Sequence, residues 1–180
     1  MRLIRSLRRR LAAFAAAREG VTIVEFAIVG PVFFLIVGAI LETAIAFFAG
    51  QALDTAVSSS TRLIRTGQAQ SMSLDQYRNE ICGGLYGMFD CDQIRLVVRP
   101  LTGFSAFSRT PPVDEDGAWQ VADDYRVNCS TSCSAGNTVM VVEAYYKFPS
   151  ILAIPGLTAG LLPDGTRLLA TSRVFMNEPF

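Results

Sequence analysis

The sequence predicts an α+β protein in which a long N-terminal helix, membrane span continuing into an amphipathic half, packs on a small antiparallel sheet. Three observations predict it. The run Phe26–Leu41 holds no charged residue, a helical apolar repeat continues beyond it to Arg65, and three or four strand-like segments follow, separated by turn residues. The expected organisation is a basic leader over 1–20, a transmembrane helix over 21–50, an amphipathic extension over 51–66 and an exported α+β domain over 67–180.

Composition agrees with a membrane segment. Of 180 residues, 51% are hydrophobic and 18% charged, and the mean hydropathy is +0.34. That is too apolar for a disordered chain and high for an ordinary soluble domain. The absence of histidine removes the commonest general base and the Ser-His and Cys-His nucleophile pairs. A net charge of zero argues against a nucleic-acid partner. The zero is unevenly built, however. The leader sets six arginines (Arg2, Arg5, Arg8, Arg9, Arg10, Arg18) against Glu19 for a net +5, whereas the rest carries ten basic and fifteen acidic residues for −5.

Sixteen helical residues from Phe26 to Leu41 cover ~24 Å, short of the ~30 Å hydrocarbon core. The deficit closes when the span starts at Val21 and runs through the apolar residues to Gly50. No Lys or Arg occurs between Arg18 and Arg62, so the positive-inside rule leaves the N-terminal flank in the cytoplasm and sends the C-terminal part across the membrane.

Three readings compete for this segment. It is an uncleaved signal anchor, or a cleaved secretory signal with Ala44-Ile45-Ala46 as its A-x-A site, or a leader cut at its cytoplasmic end. The third takes the junction Gly20-Val21-Thr22-Ile23-Val24-Glu25-Phe26 as a unit. A basic leader ends in Gly, an apolar helix begins at once, and a carboxylate stands fifth after the Gly. This resembles a class III signal, cut by a prepilin peptidase between Gly20 and Val21, where a residue without Cβ gives a protease close access to the backbone. A carboxylate at the bilayer centre costs roughly 2.5–3.5 kcal/mol on insertion scales, so Glu25 needs a partner or an interface. The new amino group of Val21 in a neighbouring subunit supplies a partner; snorkelling to the cytoplasmic interface explains Glu25 as cheaply. Glu42, seventeen residues on, lies ~26 Å further along the helix, near the opposite interface.

Gly20, Val24-Glu25-Phe26, Ala27, Pro31, the Leu/Ile-rich core and Glu42 match in order and spacing the N-terminal domain of TadE/TadG-like proteins, over about residues 16–65. The length resembles the TadE type. The resemblance implies a pilin-like component of the bacterial tight-adherence (Tad, Flp) pilus or secretion system: a minor pseudopilin with a pilin-like fold, no enzyme. It implies residence in the bacterial inner membrane, possible entry into the pilus, processing by a prepilin peptidase, and assembly with other pilin-like subunits and Tad assembly proteins. Val21, Glu25, Phe26, Pro31 and Glu42 are the candidate assembly residues. The alternative is an uncleaved, single-pass, membrane-anchored periplasmic binding or scaffold protein.

Beyond the span, Leu53, Val57 and Ile64 recur on one side with Ala52, Ala56 and Ser60, while Asp54, Ser58, Arg62 and Arg65 surround them; Thr66-Gly67 ends the helix. Pro31 removes a backbone hydrogen bond and is expected to kink the span. Ala39-x-x-x-Thr43 and Ala46-x-x-x-Gly50 are small-xxx-small pairs compatible with close helix approach. Ser73-Leu74-Asp75-Gln76 reads as a capping box opening a helix to about Cys82, closed by Gly83-Gly84. Ile94–Arg99 reads as a strand bounded by Pro100, residues 101–116 as a loop, and Trp119–Val121 as a short strand. Thr138–Phe148 is the strongest strand, residues 151–164 an apolar connector, and Arg167–Met176 the last strand.

Cys82, Cys91, Cys129 and Cys133 all follow the span. In an oxidising compartment an even count reads as two disulfides, with local pairing Cys82–Cys91 and Cys129–Cys133 preferred among three connectivities. A four-cysteine zinc site fits the C-x8-C and C-x3-C spacings poorly, so neither metal nor cofactor is expected. Gly83-Gly84-Leu85-Tyr86-Gly87 lacks the Lys and strand–helix setting of a phosphate loop. Asp114-Glu115-Asp116 and Asp123-Asp124 read as solvated acidic loops before calcium sites.

Overall fold

The computed structural model describes residues 21–108, 110–127, 138–151 and 160–178. Helix α1 runs unbroken through Val21–Arg65, 45 residues with Pro31 inside it. Packing divides the chain into two compact units, one up to Leu41 and one from Glu42 to Phe180.

In the first unit, Ile23, Val24, Phe26, Ile28, Val29, Val32, Phe33 and Phe34 are all exposed. A helix apolar on every side, with its side chains uncovered, suits lipid better than water. Its mean hydropathy reaches 2.5 over the most apolar window, and it is the one helix among the described residues long and apolar enough to cross a membrane.

In the second unit, α1 turns Ala49, Leu53, Ala56, Val57 and Ile64 into a core shared with a second helix and the sheet. The helix ends where Gly67 takes φ +76° and its N–H donates to the Ile64 carbonyl at 3.1 Å. Only Gly adopts that left-handed conformation without a Cβ penalty. Helix α2, Leu74–Gly83, opens on the expected capping box: Ser73 Oγ accepts from the Gln76 N–H and Gln76 Oε1 accepts from the Ser73 N–H. Tyr77 and Ile81, one turn apart, are its buried residues.

The sheet has four strands, β1 (Arg95–Leu101), β2 (Asp124–Tyr125), β3 (Val139–Pro149) and β4 (Thr166–Met176), in the order β2-β1-β3-β4. β3 pairs antiparallel with β1 and β4, placing Val98 opposite Val142 and Val142 opposite Arg173. Val139 to Tyr146 are buried without interruption, as expected of a central strand covered on both faces. Met140, Val142, Ala144 and Tyr146 face the helices. The α+β class is therefore the one the sequence predicts, with one strand, β2, running parallel to β1.

Two local expectations are corrected. Pro100 does not bound β1; it lies within it, opposite Met140. The Leu96 N–H and the Val98 carbonyl both point to the β2 side, and alternation along the strand turns the Pro100 nitrogen the same way. β2 pairs only with Val97 and Val98, so at Pro100 that edge is open and no ladder donor is missing. The short strand expected at Trp119–Val121 falls instead at Asp124–Tyr125, Trp119 making a single bridge to Val113. Asp123 decides the register: Oδ1 accepts from the Leu96 N–H at 2.9 Å while Oδ2 pairs with Arg78 at 2.7 Å.

Candidate membrane helix and assembly surface

Val21 is the first residue of α1, and Glu25 lies one helical turn along it, exposed. Gly20 lies outside the described residues. Phe26 is exposed at 67%, yet its ring covers Gly30: a Cβ built there would stand 3.4 Å from the ring edge. Pro31 follows at once, so the helix position with a missing donor adjoins the one with no side chain.

Glu42, at the far end of the uncharged run, accepts a hydrogen bond from Ser150 Oγ just past β3. It is the first of several polar ties between α1 and the elements packed on it. Asp54 accepts from Thr171 Oγ1 at 2.6 Å and pairs with Arg173, both on β4. Ser60 and Tyr77 join α1 to α2 through their hydroxyls, 2.9 Å apart. Arg65 pairs with Glu178 at 2.9 Å, and its carbonyl accepts from the Glu178 N–H. Burial pushes the Tyr77 phenol well above its ordinary range. The spacing sets Asp54 on the polar side of the helix; a lone acid among small residues carries no signal of a basic partner 119 positions away.

One expected feature turns inward. Ala46 is buried and a Cβ on Gly50 would meet Leu169 Cδ2 at 3.9 Å, so this small-residue pair faces β4 of its own chain. Roughly opposite on the helix, by its 100° step, Phe48, Ala52, Thr55, Ser59 and Leu63 line a groove of about 660 Å³. Glu80, Tyr86 and Met88 form its other wall.

Glu80 belongs to α2, whereas Tyr86 and Met88 belong to a loop closed by the Cys82–Cys91 disulfide, whose Cα atoms are 6.0 Å apart. Leu85 and Phe89 anchor the loop in the core, while Tyr86 is 86% exposed. Tyr86 takes φ +53°, a left-handed conformation uncommon for a bulky side chain. Gly84 seats the loop against α1, a Cβ there standing 3.1 Å from Ala56 Cβ. The expected Cys129–Cys133 pairing lies outside the described residues.

Asp114, Asp123 and Asp124 have structural partners. Asp114 Oδ1 accepts from the Asp116 and Ala118 N–H groups in a turn. Asp123 serves Arg78, Arg95 and Leu96, and Asp124 pairs with Arg126 at 2.7 Å. A calcium ion would have to displace these donors.

The chain therefore holds an uncovered apolar helical stretch up to Leu41 and, from Glu42 on, a compact disulfide-bearing unit within which polar bonds tie α1 to its neighbours. Residues 20–62 match the family model described as TadE-like protein. The match begins at the Gly20 junction and ends three residues short of the end of α1. No curated protein matches and no solved structure matches.

Proposed function

We propose that this chain is a membrane-anchored component of a Tad pilus or secretion apparatus, acting as a minor pseudopilin. The observation that carries the reading is the coincidence of the TadE-like match, residues 20–62, with one continuous helix over Val21–Arg65. A prepilin peptidase cuts between Gly20 and Val21. The basic leader stays in the cytoplasm, the span remains in the inner membrane, and the residues beyond it face the periplasm or the outside. The two charged pieces then separate, +5 from −5.

Assembly runs through α1. Glu25 accepts the amino group of Val21 from a neighbouring subunit, a pairing that offsets the roughly 2.5–3.5 kcal/mol cost of a carboxylate in the bilayer. Phe26 and Pro31 shape the helix next to that pair. Glu42 terminates the uncharged run and joins the helix to the exported domain through Ser150. Other pilin-like subunits and Tad assembly proteins are the partners; no catalytic role and no nucleic-acid partner are proposed.

The N-terminal residue of the protein purified from its host tests this reading. Val21 as first residue supports it. An intact Met1 points to an uncleaved periplasmic anchor or scaffold instead, and a start at Phe47 to an ordinary secretory signal. Glu25→Ala then separates assembly from processing: cleavage with lost co-purification of other subunits places the carboxylate in assembly, and unchanged co-purification leaves it a snorkelling residue.

A further inference from the structure

We infer that the turn after β3, at Ile151, is a second membrane contact that rests in the outer lipid interface. The inference depends on the reading of α1 as membrane-spanning. Ile151 is 86% exposed. It immediately follows Ser150, whose hydroxyl donates to the Glu42 carboxylate. Glu42 is the residue that ends the uncharged run Phe26–Leu41. Glu25 and Glu42 bracket that run ~26 Å apart along the helix, close to the ~30 Å hydrocarbon thickness. With the run in lipid, Glu42 stands at the outer boundary, and Ser150 brings Ile151 to the same level.

Neighbouring residues suit that environment. Phe47 and Phe48, just past Glu42 on α1, are 66% and 70% exposed. Residues 148–163 carry no charge, and the charged residues on either side of them, Lys147 and Asp164, pair with each other at 2.7 Å. Ile151 thus lies within an uncharged stretch of sequence. No positive or negative side chain within it resists contact with acyl chains, for which a charge is expensive. Lipid is the occupant this placement selects: a surface at the level of the span's end meets the bilayer of its own anchor, and amphipathic contacts of this kind settle ~5–10 Å into the headgroup boundary. The consequence is a domain held to the membrane at two points.

Trp119 is the sole tryptophan, which allows a direct test on the full chain. In a Trp119→Phe background, Ile151→Trp and, separately, Val32→Trp are reconstituted into phosphatidylethanolamine/phosphatidylglycerol vesicles with or without lipid brominated high on its acyl chains. The expected result is a blue-shifted emission for Ile151→Trp that the brominated lipid quenches. Val32→Trp reports the span with lipid brominated deep in the chain. Quenching of Val32→Trp with a red, unquenched Ile151→Trp overturns the second contact and leaves the span standing. A blue-shifted but unquenched Ile151→Trp means protein covers the site, which also overturns it. If neither is quenched, the membrane reading of α1 falls and the inference with it. Ile151 is surface-exposed, so its replacement removes no core packing.

Discussion

The hydroxyls of Ser60 and Tyr77 lie 2.9 Å apart in the buried seam between α1 and α2. Ser60 has one hydroxyl proton, and it already goes to the Val57 carbonyl at 2.8 Å. Tyr77 is therefore the donor and Ser60 the acceptor.

That polarity makes the two deletions unequal. Ser60→Ala strands a fully buried phenol donor and is expected to cost about 1–3 kcal/mol; Tyr77→Phe leaves only an unfilled lone pair and costs about 0.5–1.5 kcal/mol. The double variant should be less damaged than the sum, as for any coupled pair. Chemical denaturation of the four proteins in one detergent measures this, and strictly additive losses would refute the coupling. The Tyr77 phenol is raised above 10.0 by burial. Its folded form favours the proton, so its contribution is intact below pH 10 and declines as pH rises above that value. Phenolate absorbance on base titration should show one tyrosine ionising only as the protein unfolds.

Asp54 offers a second contrast. Its partners are Thr171, which is buried, and Arg173, which is partly exposed. The charged half of the interaction is screened and is expected to contribute less than about 1 kcal/mol. Asp54→Asn should therefore be mild, whereas Asp54→Ala, which also abandons the Thr171 hydroxyl, should cost about 1–2 kcal/mol. Equal losses in thermal melts would show that charge, not hydrogen bonding, dominates there.

The disulfide predicts a larger effect. Closing the short loop between Cys82 and Cys91, nine positions apart, is expected to stabilise the domain by roughly 2–3 kcal/mol in the chain-entropy account. Replacing both cysteines by serine should lower the unfolding midpoint and increase proteolysis near Tyr86. Mass spectrometry of alkylated peptides first establishes the bond, and an unchanged midpoint would show that Leu85 and Phe89 hold the loop unaided.

Acid should act at Asp164. Hydrogen bonds from Lys147 and Thr166 depress its carboxyl from 3.8 to about 2. Because the folded value lies below the unfolded one, the stabilisation is present above pH ~3.8 and is lost as pH falls toward 2. The side chain is partly exposed, so the change is small, below about 1 kcal/mol after screening. Asp164→Asn should flatten the melting temperature between pH 4 and pH 2 relative to the parent protein; an unchanged slope would assign the acid response to other carboxylates.

Features governed by neighbouring residues were legible in the sequence. The α1 period, the Ser73 capping box, the Gly67 stop and the β3 run each depend on side chains within a few positions. Their physics is that of one turn or one strand, and the structure repeats them almost residue for residue. Contacts between distant segments were not legible. Ala46 and Gly50 are small enough for a neighbouring subunit's helix, yet Leu169 occupies that space. Pro100 stops a strand by local rule, yet β2 ends before it. Asp123, not Trp119, sets the short parallel strand because its carboxylate meets Leu96 and Arg78. By itself the sequence determined helices α1 and α2, the long strands β3 and β4 and the apolar run, because backbone propensity and hydrophobic period are local energies. The tertiary structure alone decided which elements cover the apolar face of α1, which carboxylates are spent on partners and where the sheet edge lies. Those outcomes depend on competition for the same space and the same hydrogen-bond donors among residues far apart in the chain.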